Sequence, residues 1–172
     1  MTTETLPTPT LPTPRPGPEW LPEPGIYSAA RPDHCITELT GRLGPLPTLR
    51  HRLTPLDATL TVAPDAEDCV LSLKLGGRLL RGKSLTFLGT SITANDDGTR
   101  LRVAGALALD DAPVQTTLPL RVVDRTADRL LVLGTLAVPY RALRRTTGFT
   151  LPRTRPAARI RLLVAAEFTC PA

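Results

Sequence analysis

From Leu101 to Val123 the chain alternates apolar and polar positions more regularly than anywhere else. Leu101, Val103, Leu107 and Leu109 fall on one side at a period of two, with Arg102, Ala104, Ala106 and Ala108 on the other, the pattern of a half-buried strand. Asp110, Asp111, Ala112 and Pro113 supply turn chemistry, and Leu118, Leu120 and Val122 then alternate with Thr117, Pro119 and Arg121. Two strands joined by a short loop, with one apolar face, predict a hairpin.

The same period recurs on both sides of this pair. Leu56, Ala58, Leu60 and Val62 alternate with Asp57, Thr59 and Thr61; after a turn at Pro64 and Asp65, Cys69, Leu71, Leu73 and Leu75 alternate with Val70, Ser72 and Lys74. A strand follows over Leu85–Ile92, then Asn95–Gly98 reads NDDG, a hairpin turn in which Asp and Gly tolerate positive φ. Asp124 to Asp128 forms another loop, Arg129–Val138 a long strand, and Arg159–Phe168 a last one with Ile160, Leu162, Val164, Ala166 and Phe168 on one side. Upstream, Ile26 and Tyr27 predict a short strand and HCITELTGRL a second. Three prolines and little alternation predict an irregular loop from Gly44 to Pro55, and PYRALRRTTGFTLPRTRP, after Val138, also reads as loop. RLL, bracketed by Gly77 and Gly82, is too short for a helix of consequence.

About eight strands separated by turns, with no long helix, predict an all-β fold: a single antiparallel barrel rather than a sandwich or open sheet, whose two edges would invite aggregation. Eight strands enclose an interior that side chains fill or that holds one small ligand. Residues 1–24 carry eight prolines and predict an extended, disordered tail, serving as a solubilising leader or as a ligand for a proline-reading domain. Trp20, within it, is expected to fold over the barrel's end or to stay exposed. Residues 25–172 form the barrel domain.

Composition refines this picture. At 172 residues and 41% hydrophobic but only 3% aromatic content, the core is Leu, Val, Ile and Ala. The net charge of +5 is local: seven arginines lie between 141 and 161, and no acid lies between Asp128 and Glu167. That half attracts anions or is a solvated outer surface. Six aromatics in all leave few stacking platforms, so nucleic acid is not the expected partner. Cys35, Cys69 and Cys170 are odd in number and share no CxxC spacing, which argues against a disulfide framework or a metal site. The beginning of the chain lacks the basic and apolar runs of a secretory signal, and the longest apolar stretch, Leu130–Val138, is half the ~18 residues a membrane span needs. A cytoplasmic protein without stable membrane insertion is expected.

Candidate catalytic groups are sparse. Asp110 and Asp111 diverge as neighbours in a turn, whereas a general acid and base must converge. His34 and Cys35 point to opposite faces of a strand, so the imidazole does not reach the thiol. His51, between Arg50 and Arg52, reads as a solvated loop residue. Tyr140 and Arg141 stand at the end of a barrel strand, where a rim side chain reaches a ligand's headgroup or simply plugs the end. Phe87, Phe149 and Phe168 are core plugs or ligand clamps.

The run FLGTSITANDDGTRLRVAGALALDDAPVQTTLPLRVV resembles the centre of the YceI family of polyisoprenoid-binding, lipocalin-like proteins. Thr90 and Ser91 match its Thr-Ser pair, Leu101, Val103, Gly105, Leu107 and Leu109 its L-x-V-x-G-x-L-x-L strand, and Pro113, Val114 and Leu118 the strand after it. Farther out, His34-Cys35 falls where the family has His-Ser, Arg141 where it has an Arg, and Gly148-Phe149 echoes its Phe-Gly. The resemblance implies an eight-stranded barrel whose interior takes an isoprenoid or other amphiphilic lipid. The family's helical insertion before the Thr-Ser strand is cut here to GGRLLRGKS, and its His-Gly is replaced by Asp111-Ala112.

The expected function is therefore binding of a long apolar or amphiphilic molecule, with Phe87, Val103, Leu107, Leu118, Leu120, Leu162 and Phe168 on the inner wall and Tyr140, Arg141 and Phe149 near its end. The alternatives are a cofactor-independent cyclase or isomerase using the barrel as a shaped vessel, and a self-filled barrel acting through its tail and Arg-rich loop. No catalytic residue, cofactor or metal is assigned, and the protein is expected to act alone or as a homodimer.

Overall fold

The computed structural model describes residues 21–29, 31, 34–43, 46–109, 112–148 and 160–170. They form nine strands: β1 (Gly25–Ser28), β2 (Cys35–Leu43), β3 (Leu46–Val62), β4 (Val70–Gly76), β5 (Leu85–Ala94), β6 (Arg100–Leu109), β7 (Ala112–Arg125), β8 (Arg129–Val138) and β9 (Ile160–Thr169). Short 3-10 turns occupy Ala66–Asp68 and Arg78–Leu80, and one helix, α1, spans Tyr140–Thr147. Every strand pair is antiparallel, in the order β3-β2-β9-β8-β7-β6-β5-β4, and β4 pairs back onto β3. Eight positions thus close into a lipocalin-like barrel without a free edge. β1 extends the slot of β2, pairing with Thr59–Val62 of β3 and touching β9 at Ser28↔Thr169.

The alternation read from sequence sets the wall. Leu101, Val103, Leu107 and Leu109 of β6 are buried, as are Leu71, Leu73 and Leu75 of β4 and Ile160, Leu162, Val164, Ala166 and Phe168 of β9. The buried core side chains expose at most 6% of their surface, so they contact one another rather than open space. Each fully buried Leu favours the folded chain by about 1.5–3 kcal/mol.

The sequence pattern fails in two places. The loop expected from Gly44 to Pro55 is instead the first half of β3, which runs 17 residues. Its prolines hid it. Pro47 pairs beside the register shift at Gly41/Arg42, and Pro55 sits at the shift between Pro55 and Asp57, where the ladder loses a bond regardless. That second bulge turns Leu56 outward, 55% exposed, although its spacing put it with Ala58, Leu60 and Val62. The second failure is α1, in the stretch expected to be loop. No helix among the described residues is long and apolar enough to cross a membrane.

Strand register defines two ends. The base gathers the β5–β6 turn, the β7–β8 turn and the chain before β1, where Leu21 and Pro22 are buried. Glu23 N–H donates to Ala127 O at 3.0 Å, and the Tyr27 hydroxyl donates to Glu23 O at 2.6 Å. Trp20, next to Leu21, lies outside the described residues. The opposite end, the mouth, gathers the Arg78–Leu80 turn, the end of β6, the start of β7 and α1.

Candidate functional site

Two short pieces of chain cover the mouth. After β8, Pro139 fixes the entry to α1: its fixed φ suits a helix start, and its carbonyl accepts from Leu143 N–H at 3.1 Å. Gly148, at φ 68, ends the helix with its N–H donated to Arg144 O at 2.9 Å. Arg144 and Arg145 in the last turn face the partial negative charge of the helix end. Leu143 and Thr147, four residues apart on one face, are buried, and the Thr147 hydroxyl donates to Leu143 O at 2.6 Å. Arg141, Arg144 and Arg145 are exposed on the outer side.

The second piece is the Arg78–Leu80 turn between β4 and β5. Gly77, at φ 142, allows the chain to leave β4, and Leu80 turns inward, fully buried. Arg81 follows at φ 50, the left-handed region, which a non-glycine residue enters only at a cost. Its guanidinium then reaches α1: a β-carbon added to Gly148 would lie 3.2 Å from Arg81 Nη1.

Between turn and helix lies an open cleft of about 390 Å³, lined by His51 from β3, Arg78, Leu79 and Arg81 from the turn, and Thr147 from α1. Its size falls within the ordinary span of small-molecule sites, roughly 300–1,000 Å³. Leu80 of the turn and Leu143 of the helix are both fully buried in the core.

The inner-wall residues expected from sequence form one continuous lining. Phe87 pairs in register with Leu107, Val103 with Leu118, and Leu101 with Leu120, while Leu162 lies between Leu39 and Leu136. Phe168 sits at the base beside Leu130. Tyr140 is half-buried against this core, but it and Arg141 open α1 rather than ending a strand. Arg141 is exposed and does not line the cleft. Phe149 lies outside the described residues. Of the cleft-lining residues, His51, expected as a solvated loop residue, lies in β3, and Arg78, Leu79, Arg81 and Thr147 were not singled out. The glycines flanking RLL were the available signal for the turn, but nothing linear joins residues 51, 78–81 and 147.

Groups with nucleophilic or acid-base chemistry lie elsewhere. His34 Nδ1 is 3.0 Å from Glu167 Oε2 on the outer wall at the base, where Arg129 bridges Glu167 and Asp124. Cys35 points inward, and burial pushes its thiol up to about 11, so it is neutral at ordinary pH. The Cys69 thiol, also raised by burial, packs in the β3–β4 turn, accepting from Ala63 N–H at 3.4 Å.

No protein-family model matches the chain, and no curated protein sequence does. Among solved structures, the crystal structure of BcnA from Burkholderia cenocepacia is similar at a TM-score of 0.56, covering 77% of this chain and 95% of that one with 14% sequence identity. The two chains share a barrel fold.

Proposed function

We propose that the protein is a YceI-like binding barrel that takes a long apolar or amphiphilic molecule, with the tail along the inner wall and the polar end at the mouth. The observation that carries this reading is a closed barrel with an apolar lining and a cleft between the two pieces at its mouth, whose Leu80 and Leu143 are fully buried. Since the lining is close-packed, a guest enters by displacing these leucines and other core side chains. Burying hydrocarbon contributes about 0.8 kcal/mol per CH₂, so a chain of some ten carbons offsets a few displaced leucines.

The test is native mass spectrometry of the purified protein, followed by titration with decanol and a long-chain polyprenol. A stoichiometric guest, bound more tightly or faster by Leu143→Ala, supports the reading. No binding by the wild type, Leu80→Ala or Leu143→Ala refutes it. That outcome favours the second reading, a self-filled barrel acting only through its surface, which the close packing of the inward side chains supports.

A further inference from the structure

Acids and cations share the base of the barrel, with Arg100, Arg125 and Arg129 beside its turns, whereas the pieces over the mouth are of one sign. At the base lie Asp65, Glu67, Asp68, Asp96, Asp97 and Asp128, on the β3–β4, β5–β6 and β7–β8 turns. The turn and helix that cover the mouth carry only cations among their described residues: Arg78, Arg81 and Lys83 on one side, Arg141, Arg144 and Arg145 on the other. Glu38, the nearest acid on β2, is engaged by Arg50 at 2.7 Å. Asp110 and Asp111, between β6 and β7, lie outside the described residues. Among the described residues, no carboxylate pairs with Arg78 or Arg81.

These two arginines share the cleft with His51. A guanidinium is always charged and presents a planar fork of donors, which suits an anion with several oxygens. A carboxylate offers one edge, which one fork satisfies; a phosphate monoester offers three oxygens and close to two charges, enough for two forks and an imidazole. Arg81 is also the one non-glycine residue described at positive φ, as the left-handed cap of its turn. Its guanidinium reaches across the cleft toward the end of α1.

We infer that the His51–Arg78–Arg81 cleft is an anion site that binds the phosphate headgroup of an amphiphile whose tail enters the barrel. This rests on the binding reading above and narrows its ligand to phosphorylated amphiphiles. The anion neutralises the guanidinium forks above the mouth while the chain replaces Leu80 and Leu143.

Calorimetric titration of the full chain with decyl phosphate, decanoate, decanol and inorganic phosphate tests this. Decyl phosphate is expected to bind at least about tenfold more tightly than decanol or decanoate, an advantage that shrinks as salt rises. Arg78→Gln and Arg81→Gln each lower its affinity by roughly three- to tenfold and leave decanol binding unchanged. Arg102→Gln, on the outer wall, changes neither affinity, and thermal melts confirm that all three variants fold. Equal affinities for decyl phosphate and decanol, decanoate binding as tightly as the phosphate, or Gln variants matching wild type overturns the inference while the barrel reading survives. If no ten-carbon ligand binds but inorganic phosphate does, and the Gln variants lose it, the anion site stands and the barrel reading falls. No binding of either phosphate overturns the inference.

Discussion

Gly105 tests the wall at its tightest point. It faces Gly89 across β5 and β6, just before the bulge that turns out both Thr90 and Ser91. A β-carbon on Gly105 would lie 2.1 Å from Leu88 O and 2.6 Å from Gly89 Cα, both backbone atoms. No rotamer change relieves that contact, so for Gly105→Ala the two strands must part by most of an ångström. Overpacking of this kind costs about 1–3 kcal/mol or more, and the lower chain entropy of Ala in the unfolded state returns only ~0.4–1. Because both clashing atoms are backbone, the cost falls at or just above the top of that range, about 3–3.5 kcal/mol, and we expect a net loss of about 2–3 kcal/mol, read by denaturant unfolding. At about 2–4 °C per kcal/mol for a chain of this size, Tm falls by roughly 4–12 °C. Gly82→Ala is the control: its β-carbon meets nothing within 4 Å, leaving only the strain of φ +80, about 1–2 kcal/mol. Gly105→Ala within 1 kcal/mol of wild type, or milder than Gly82→Ala, would refute the close approach of β5 and β6.

Other outcomes follow from the same geometry. Tyr27→Phe removes hydroxyl bonds to Glu23 O and Ala127 O and should cost about 0.5–1.5 kcal/mol, with hydrogen exchange rising over residues 21–28. A thiol reagent at neutral pH should label Cys170 at once, and Cys35 and Cys69 only after unfolding, since both are buried. Because burial raises the Cys35 thiol from 9.0 to about 11, its contribution is complete below pH 9 and fades as pH climbs toward 11. Cys35→Ala should flatten that alkaline decline in urea titrations. Glu167→Gln weakens the contacts to His34 and Arg129, but these are partly solvated, so a loss of at most about 1 kcal/mol, smaller in high salt, is expected from denaturant midpoints.

Strands with one register and one buried face were legible because a period of two survives along their whole length: β4, β6 and β9 are of this kind. β3 was half legible. The bulge at Leu56 reverses the phase, so Leu53 and Ala58 are both buried at a spacing of five, which no single periodicity captures. α1 was illegible for a different reason: eight residues bury only Leu143 and Thr147, one turn apart, and four residues between Tyr140 and Gly148 are polar on the outer side. The inner-wall candidates followed from alternation and lie where it put them. The cleft did not, since barrel closure alone brings residues 51, 78–81 and 147 to one end. Gly105 was matched as part of a strand motif, and the close approach of β5 gives that glycine its physical reason.

β9 lies between β2 and β8, joining Cys35 to Ala166 and Val132 to Ala166. Until it docks, two long strands keep bare amide edges, and the ring is an arc with sticky flanks. Closing it means finding partners more than a hundred residues apart, so the folding rate belongs in the millisecond-to-second range of sheet proteins with distant pairings. Shortening the chain before Ile160 would therefore leave an aggregating arc rather than a smaller barrel.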